Sequence, residues 1–172
     1  MPNWVTNEVY VDGSKKELKR FVEYIQGTDE EADDYDFSFE KIAPTPKELM
    51  DRNSTFKPKK DWTDEDYKMV EKYGAIDWYY WRINDDNWGT KWHADELHAD
   101  IHDKGCYFNF NTAWSPPIGI WRRLKKEFPK LKFHWEHRDE DPYGWRGTLQ
   151  ESNIACKPWE CDCLEDMMTG EK

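Results

Sequence analysis

The stretch LHADIHDKGCYFNFN (97–111) alternates apolar and polar residues through two runs, LHADIH and CYFNFN, joined by Asp-Lys-Gly, and so predicts a β-hairpin. Leu97, Ala99 and Ile101 share one face with Cys106, Phe108 and Phe110. His98, Asp100 and His102 share the other with Tyr107, Asn109 and Asn111. A lone hairpin is marginal in water, so its apolar face calls for more strands beside it and helices against it.

The flanking sequence supplies both. WVTNEVYVDG (4–13) alternates Val5, Asn7, Val9 and Val11 against Trp4, Thr6, Glu8 and Tyr10 and ends in a turn signal, which predicts a first strand. Ser14 with Glu17 makes a capping box, and Leu18, Phe21, Val22 and Ile25 recur at helical spacing before Gly27, which predicts a helix over 15–26. After the hairpin, Ser115 and two prolines open a helix whose Ile118, Trp121, Leu124 and Phe128 form one face, and Pro129 closes it. KFHWEHR (132–138) and YGWRGTLQ (143–150) predict two further strands, with Phe133 and Trp135 turned to the helices and His134 and Glu136 turned away.

Strand, helix, strand, strand, helix, strand is the order of an α+β fold of ferredoxin-like type, a split βαβ sandwich whose antiparallel sheet carries helices on one face. The strand near 144–150 extends that sheet. A single domain is expected over 1–151, with a large, mainly helical insertion at about 28–95, followed by a cysteine-bearing tail, 152–172. Within the insertion, YDFSFEKI (35–42) reads as a short strand, and Thr45, Pro46 and Glu48 open a brief helix. DRNSTFKPKKD (51–61) reads as a loop, and Thr63 caps a helix ending at Tyr73, with Gly74 behind it. DWYYWRINDDNWGTKW (77–92) then reads as helical from Ile76 to Ile83, with a loop turning at Gly89.

Composition supports one core and no second one. Of 172 residues, 16% are aromatic, and these carry the burial that the sparse aliphatics do not. The formal charge of −11 opposes generic nucleic-acid binding. The charge is uneven: DEEADDYDFSFE (29–40) is strongly acidic, while RRLKKEFPKLK (122–132) and KPKK (57–60) are basic. A solvated face is the plain reading of such runs and a recognition surface the sharper one. The N-terminus carries neither a basic leader nor an apolar run of signal-peptide length, and no segment approaches the ~20 apolar residues of a membrane span. A cytoplasmic protein with no membrane association is expected, with Cys106, Cys156, Cys161 and Cys163 as reduced thiols.

Several separated segments, MPNW followed by VTN, FSFEKIAPTP (37–46), YGAIDWYYWRINDDNWGTKW (73–92), FNFNTAWSPP (108–117) and YGWRG (143–147), together resemble the YubB ferredoxin-like domain family of phage and plasmid proteins, which has no established activity. The resemblance runs from residue 1 to about 151. It implies the same fold and a mobile-element origin, and it transfers no catalytic residues. The acidic stretch near 29–36 and the tail ESNIACKPWECDCLEDMMTGEK have no counterpart in it.

Three sets of residues are candidate sites. The aromatic stretch is either core and lid packing or a cleft in which Trp78, Trp81, Trp88 and Trp92 hold a ring while Asp85, Asp86 and Asn87 bond its polar edge. On the open sheet face, His98, Asp100, His102 and His134 offer imidazole and carboxylate for zinc, manganese or iron, since residues two apart in a strand point the same way about 7 Å apart. The tail spaces its thiols as C-x4-C-x-C, which with His93 or His98 could complete a tetrahedral site if the tail folds back, although loose reduced cysteines are the simpler reading. Compared with an RNA-recognition sheet, the face offers only Tyr107 for stacking. No phosphate loop, dinucleotide fingerprint or nucleophile elbow is present.

The expectation that follows is a non-enzymatic mobile-element protein, without a cofactor, that binds a host protein and inhibits a nucleic-acid-directed defence system. Its acidic Asp29, Glu30, Glu31, Asp33, Asp34 and Asp36 would imitate a phosphate backbone, and direct nucleic-acid binding is not expected. The alternatives are a metal-binding module or metal-dependent enzyme built on the histidine face, and a sponge for a small nucleotide-like ligand built on the tryptophans. The sequence leaves the oligomeric state open.

Overall fold

A computed structural model describes residues 3–27, 37–53, 57–140 and 146–149. Strands β1 (Trp4–Asp12), β2 (Asp95–His102), β3 (Gly105–Ala113), β4 (Lys132–Asp139) and β5 (Arg146–Thr148) form one antiparallel sheet in the order β2-β3-β1-β4-β5. The first four strands have the ferredoxin-like arrangement, with β1 and β3 in the middle, and β5 widens the sheet beyond β4.

Helices α1 (Lys15–Ile25) and α6 (Ile118–Glu127) cover one face. Their buried Leu18, Phe21 and Ile25, and Ile120, Trp121 and Leu124, meet Val9, Val11, Phe108, Phe110 and Trp135 from the sheet. Phe21 sits edge-on to Phe108, Phe128 and Phe133 at 5.4–6.1 Å between ring centres, a geometry that aromatic quadrupoles favour. Asn7, like Thr112 and His137, is a polar residue on the buried face, and its amide is bonded within the sheet. Its Nδ2 donates to the Val5 carbonyl and to Thr112 Oγ1, each at 2.9 Å, and its Oδ1 accepts from Trp135 Nε1 at 3.1 Å.

The insertion is helical, with α2 (Phe39–Ile42), α3 (Lys47–Met50), a 3-10 turn (Lys59–Asp61), α4 (Asp64–Tyr73) and α5 (Trp78–Arg82). The strand expected over 35–42 is not there: its described part, 37–42, leads into and forms α2. The alternation of Phe37 and Phe39 suggests a strand, but the Ser38 hydroxyl accepts the Lys41 N–H at 3.1 Å and starts a helical turn. Phe37, Phe39 and Ile42 are all buried, so the segment is core filling. Phe37 packs against Phe108, Phe110 and Trp135. The expected cap at Thr63 is present with a reciprocal bond from Asp66, and Gly74 ends α4 in the left-handed region at φ 74°.

The loop after α5 is clamped to the start of α6. A Cβ on Gly119 would lie 2.2 Å from the Asn87 carbonyl oxygen, so only glycine admits this approach. Gly119 N donates to the Trp88 carbonyl at 3.2 Å, and Arg122 Nη1 donates to the Asp85 carbonyl at 3.1 Å. The insertion is thereby tied to the sandwich at one end of the sheet.

Candidate functional site

The face of the sheet opposite the helices carries no layer among the described residues, and its side chains fall in rows set by the register. Asp100, Tyr107, Tyr10 and His134 make one row, and His98, Asn109, Glu8, Glu136 and Thr148 the next. Asn111, Thr6, Arg138 and Arg146 make a third. Tyr10 and Tyr107, on the two middle strands, have ring centres 4.8 Å apart, and the His134 ring lies 6.1 Å from Tyr10 on the other side. Tyr10 is 42% exposed, a large value for an aromatic at the centre of a sheet. The comparison with an RNA-recognition sheet therefore misses a ring: Tyr10 joins Tyr107, because β1 and β3 are neighbours and these two residues are register partners.

The electrostatics of this face are those of an acceptor for cations. Glu8, Glu136 and Asp100 border the tyrosine pair, and partial burial, followed by the Glu8 charge, raises the Tyr107 phenol above its ordinary value. His134 Nε2 pairs with Glu136 at 2.7 Å, and His98 Nε2 with Asp100 at 3.5 Å. Towards β5 the face dips into a groove of about 360 Å³ lined by Thr6, Glu8, Glu136, Arg138, Arg146 and Thr148. Arg138 and Arg146 are register partners there, which brings two cations to one end of an otherwise acidic surface.

The histidines expected to share a metal are on the same face but not within common reach. His98, Asp100 and His102 lie on β2 and His134 on β4, three strand spacings or about 14 Å away. Among the described residues no group of three or more His, Cys, Asp or Glu side chains could hold one ion. Cys106 is buried, and burial raises its thiol pKa. The tail with Cys156, Cys161 and Cys163 lies outside the described residues, as do Asp29, Glu30, Glu31, Asp33, Asp34 and Asp36.

The aromatic stretch does not converge on one cleft. Trp88 is fully buried, with Nε1 donating to the Ala43 carbonyl at 2.8 Å and its ring lying 4.1 Å from the Arg82 guanidinium. Arg82, itself buried, also lies over Trp78, and its Nε donates to Thr45 Oγ1 at 3.0 Å and its Nη2 to Glu40 Oε2 at 3.3 Å. Trp81 is buried too, Asn87 Nδ2 donates to the Trp81 carbonyl at 2.9 Å, and Asp86 pairs with Arg122 at 3.1 Å. These residues join the insertion to the core. Trp92 differs: it lies half-buried beside Trp4 and Trp114.

Residues 87–170, just under half of the chain, match a family described as the ferredoxin-like domain in Api92-like protein. Within the described residues the match takes in β2, β3, α6, β4 and β5, and its ferredoxin-like description agrees with the observed sheet. No curated protein and no solved structure matches the chain. Among the described residues no helix is long and apolar enough to cross a membrane.

Proposed function

We propose that this chain is a non-enzymatic mobile-element protein that acts in the host cytoplasm by binding a host protein through the open face of its sheet. The observation that supports this reading is the Tyr10–Tyr107 pair at the centre of that face, Tyr10 exposed and Tyr107 half-buried, bordered by Glu8, Glu136 and Asp100. Tyrosine rings supply contact area at little entropic cost and stack on guanidinium groups, while the carboxylates take the charge. The partner surface that fits is basic, as on a protein that handles nucleic acid, and the consequence we propose is inhibition of a nucleic-acid-directed defence system. A nucleic acid itself fits less well, because its phosphates would meet Glu8 and Glu136.

The test is affinity capture from host lysate with the wild-type chain, the Tyr10→Ala/Tyr107→Ala double variant and a helix-side control, Lys19→Ala/Lys126→Ala. One host protein retained by wild type and control but lost by the double variant supports the reading. A partner held equally by all three, or nucleic acid as the retained species, overturns it. The phage and YubB-like origin rests on the sequence resemblance. The acidic-mimicry part is tested by reversing the charges of Asp29, Glu30, Glu31, Asp33 and Asp34, and unchanged inhibition removes it.

A further inference from the structure

At the end of the sheet where β1 begins and β3 ends, three aromatic rings surround one ammonium group. Lys91 Nζ lies 4.7 Å from the ring centre of Trp92 and 5.3 Å from those of Tyr79 and Trp114. All three distances are inside the roughly 6 Å within which a ring face attracts a cation. The rings come from separate parts of the chain: Tyr79 from α5, Trp92 from the loop before β2, and Trp114 from the residue after β3. Trp92 and Trp114 are stacked with 29° between their planes, and Tyr79 stands at 88° to Trp114, so the walls are not parallel and enclose a corner. Trp4, the first residue of β1, closes the rim against Trp92 at 6.0 Å.

Two features go beyond what packing requires. Trp114 is held at φ 64°, a conformation that a bulky side chain rarely takes, and yet the residue is 44% exposed. Lys91 has no carboxylate partner among the described residues of a chain with net charge −11. Its ammonium is held by ring faces in place of an anion.

We infer that Tyr79, Trp92 and Trp114 form a binding site for a quaternary or methylated ammonium group, which Lys91 occupies as a tethered stand-in. The ligand is selected by positive charge spread over methyl groups, since it loses less hydration than a primary ammonium and offers more surface to the rings. A tethered lysine competes with it, so apparent affinity is reduced by the fraction of time the cage is filled. The site is separate from the tyrosine pair and does not depend on the sheet-face reading.

The test is titration of the full chain with tetramethylammonium chloride. It is read from the indole N–H cross-peaks of Trp92 and Trp114, which the corresponding Trp→Phe variants assign among 11 tryptophans. Neopentyl alcohol serves as the neutral probe of the same shape. In Lys91→Ala, with Lys91→Gln as the second variant should the first not fold, both peaks are expected to shift saturably. The affinity is expected to be on the order of tenfold above wild type, with no response to the alcohol and none after a further Trp114→Ala change. No saturable shift in a folded Lys91 variant, an equal response to the alcohol, or an affinity no higher than wild type overturns the inference.

Discussion

Tyr10 and Tyr107 face each other across the two central strands, register partners with ring centres 4.8 Å apart, on the side of the sheet opposite α1 and α6. A cross-strand aromatic pair of this kind contributes up to about 1 kcal/mol over an alanine pair. The double replacement Tyr10→Ala/Tyr107→Ala is therefore expected to lower unfolding free energy by no more than about 1–2 kcal/mol. It is expected to abolish partner capture, so denaturant melts and capture assays on one preparation separate the two effects.

Arg82 is expected to behave in the opposite way. It lies over the Trp78 and Trp88 rings and bonds Thr45 and Glu40, so Arg82→Ala removes that packing and the cation beside the half-buried Glu40, which Thr45 still bonds, and should cost about 2–3 kcal/mol. Equilibrium unfolding would show it, and Arg82→Lys should recover only part, because a point charge does not stack as a planar guanidinium does.

Gly119→Ala tests the clamp between the insertion and α6. The added Cβ would lie 2.2 Å from the Asn87 carbonyl oxygen and 2.5 Å from its carbon, both backbone atoms. The expected cost is about 1–3 kcal/mol or more, measured by thermal unfolding, whereas Gly74→Ala meets no atom and pays only for its φ of 74°.

His137 gives the pH dependence. Burial against the sheet's helix side lowers its pKa from the ordinary 6.5 to about 4. The unfolded chain therefore binds a proton at higher pH than the folded one. This contribution is complete above about pH 6.5 and is lost as pH falls towards 4, on the order of 2 kcal/mol in all. His137→Gln should flatten unfolding free energy between those values, and an unchanged slope would assign it elsewhere. Below that range Asp66 takes over. Hydrogen bonds from Lys57 and from the Thr63 backbone hold its carboxyl well below the usual range, so its stabilisation fails only as pH drops below about 4, and Asp66→Asn should remove that acid limb.

The elements that carry the fold were legible because each declares a buried side. β1 buries Val5, Val9 and Val11 as its alternation requires, α1 buries Leu18, Phe21 and Ile25, and α6 keeps Trp121 and Leu124 on one stripe. Phe37 and Phe39 misled because alternating phenylalanines also suit a capped helical turn that plugs a core. The candidate sites were less legible, since faces follow from local period but neighbours follow from strand order. The period of two puts His98 and His134 on one face, but the strand order sets β3 and β1 between them, while the same order brings Tyr10 to Tyr107. For Trp88 the deciding contact is the Ala43 carbonyl, 45 residues away in sequence, and nothing local distinguishes such an anchor from a stacking platform.

The most direct test of the sheet-face account is site-specific photocrosslinking in host lysate, with a benzophenone amino acid placed at Tyr107 in one preparation and at Lys126, on the helix side, in another. A single discrete protein adduct from position 107 and none from 126 is the result expected. Adducts of equal yield from both positions, or from 126 alone, would contradict the claim that the open face of the sheet is where this protein meets its partner.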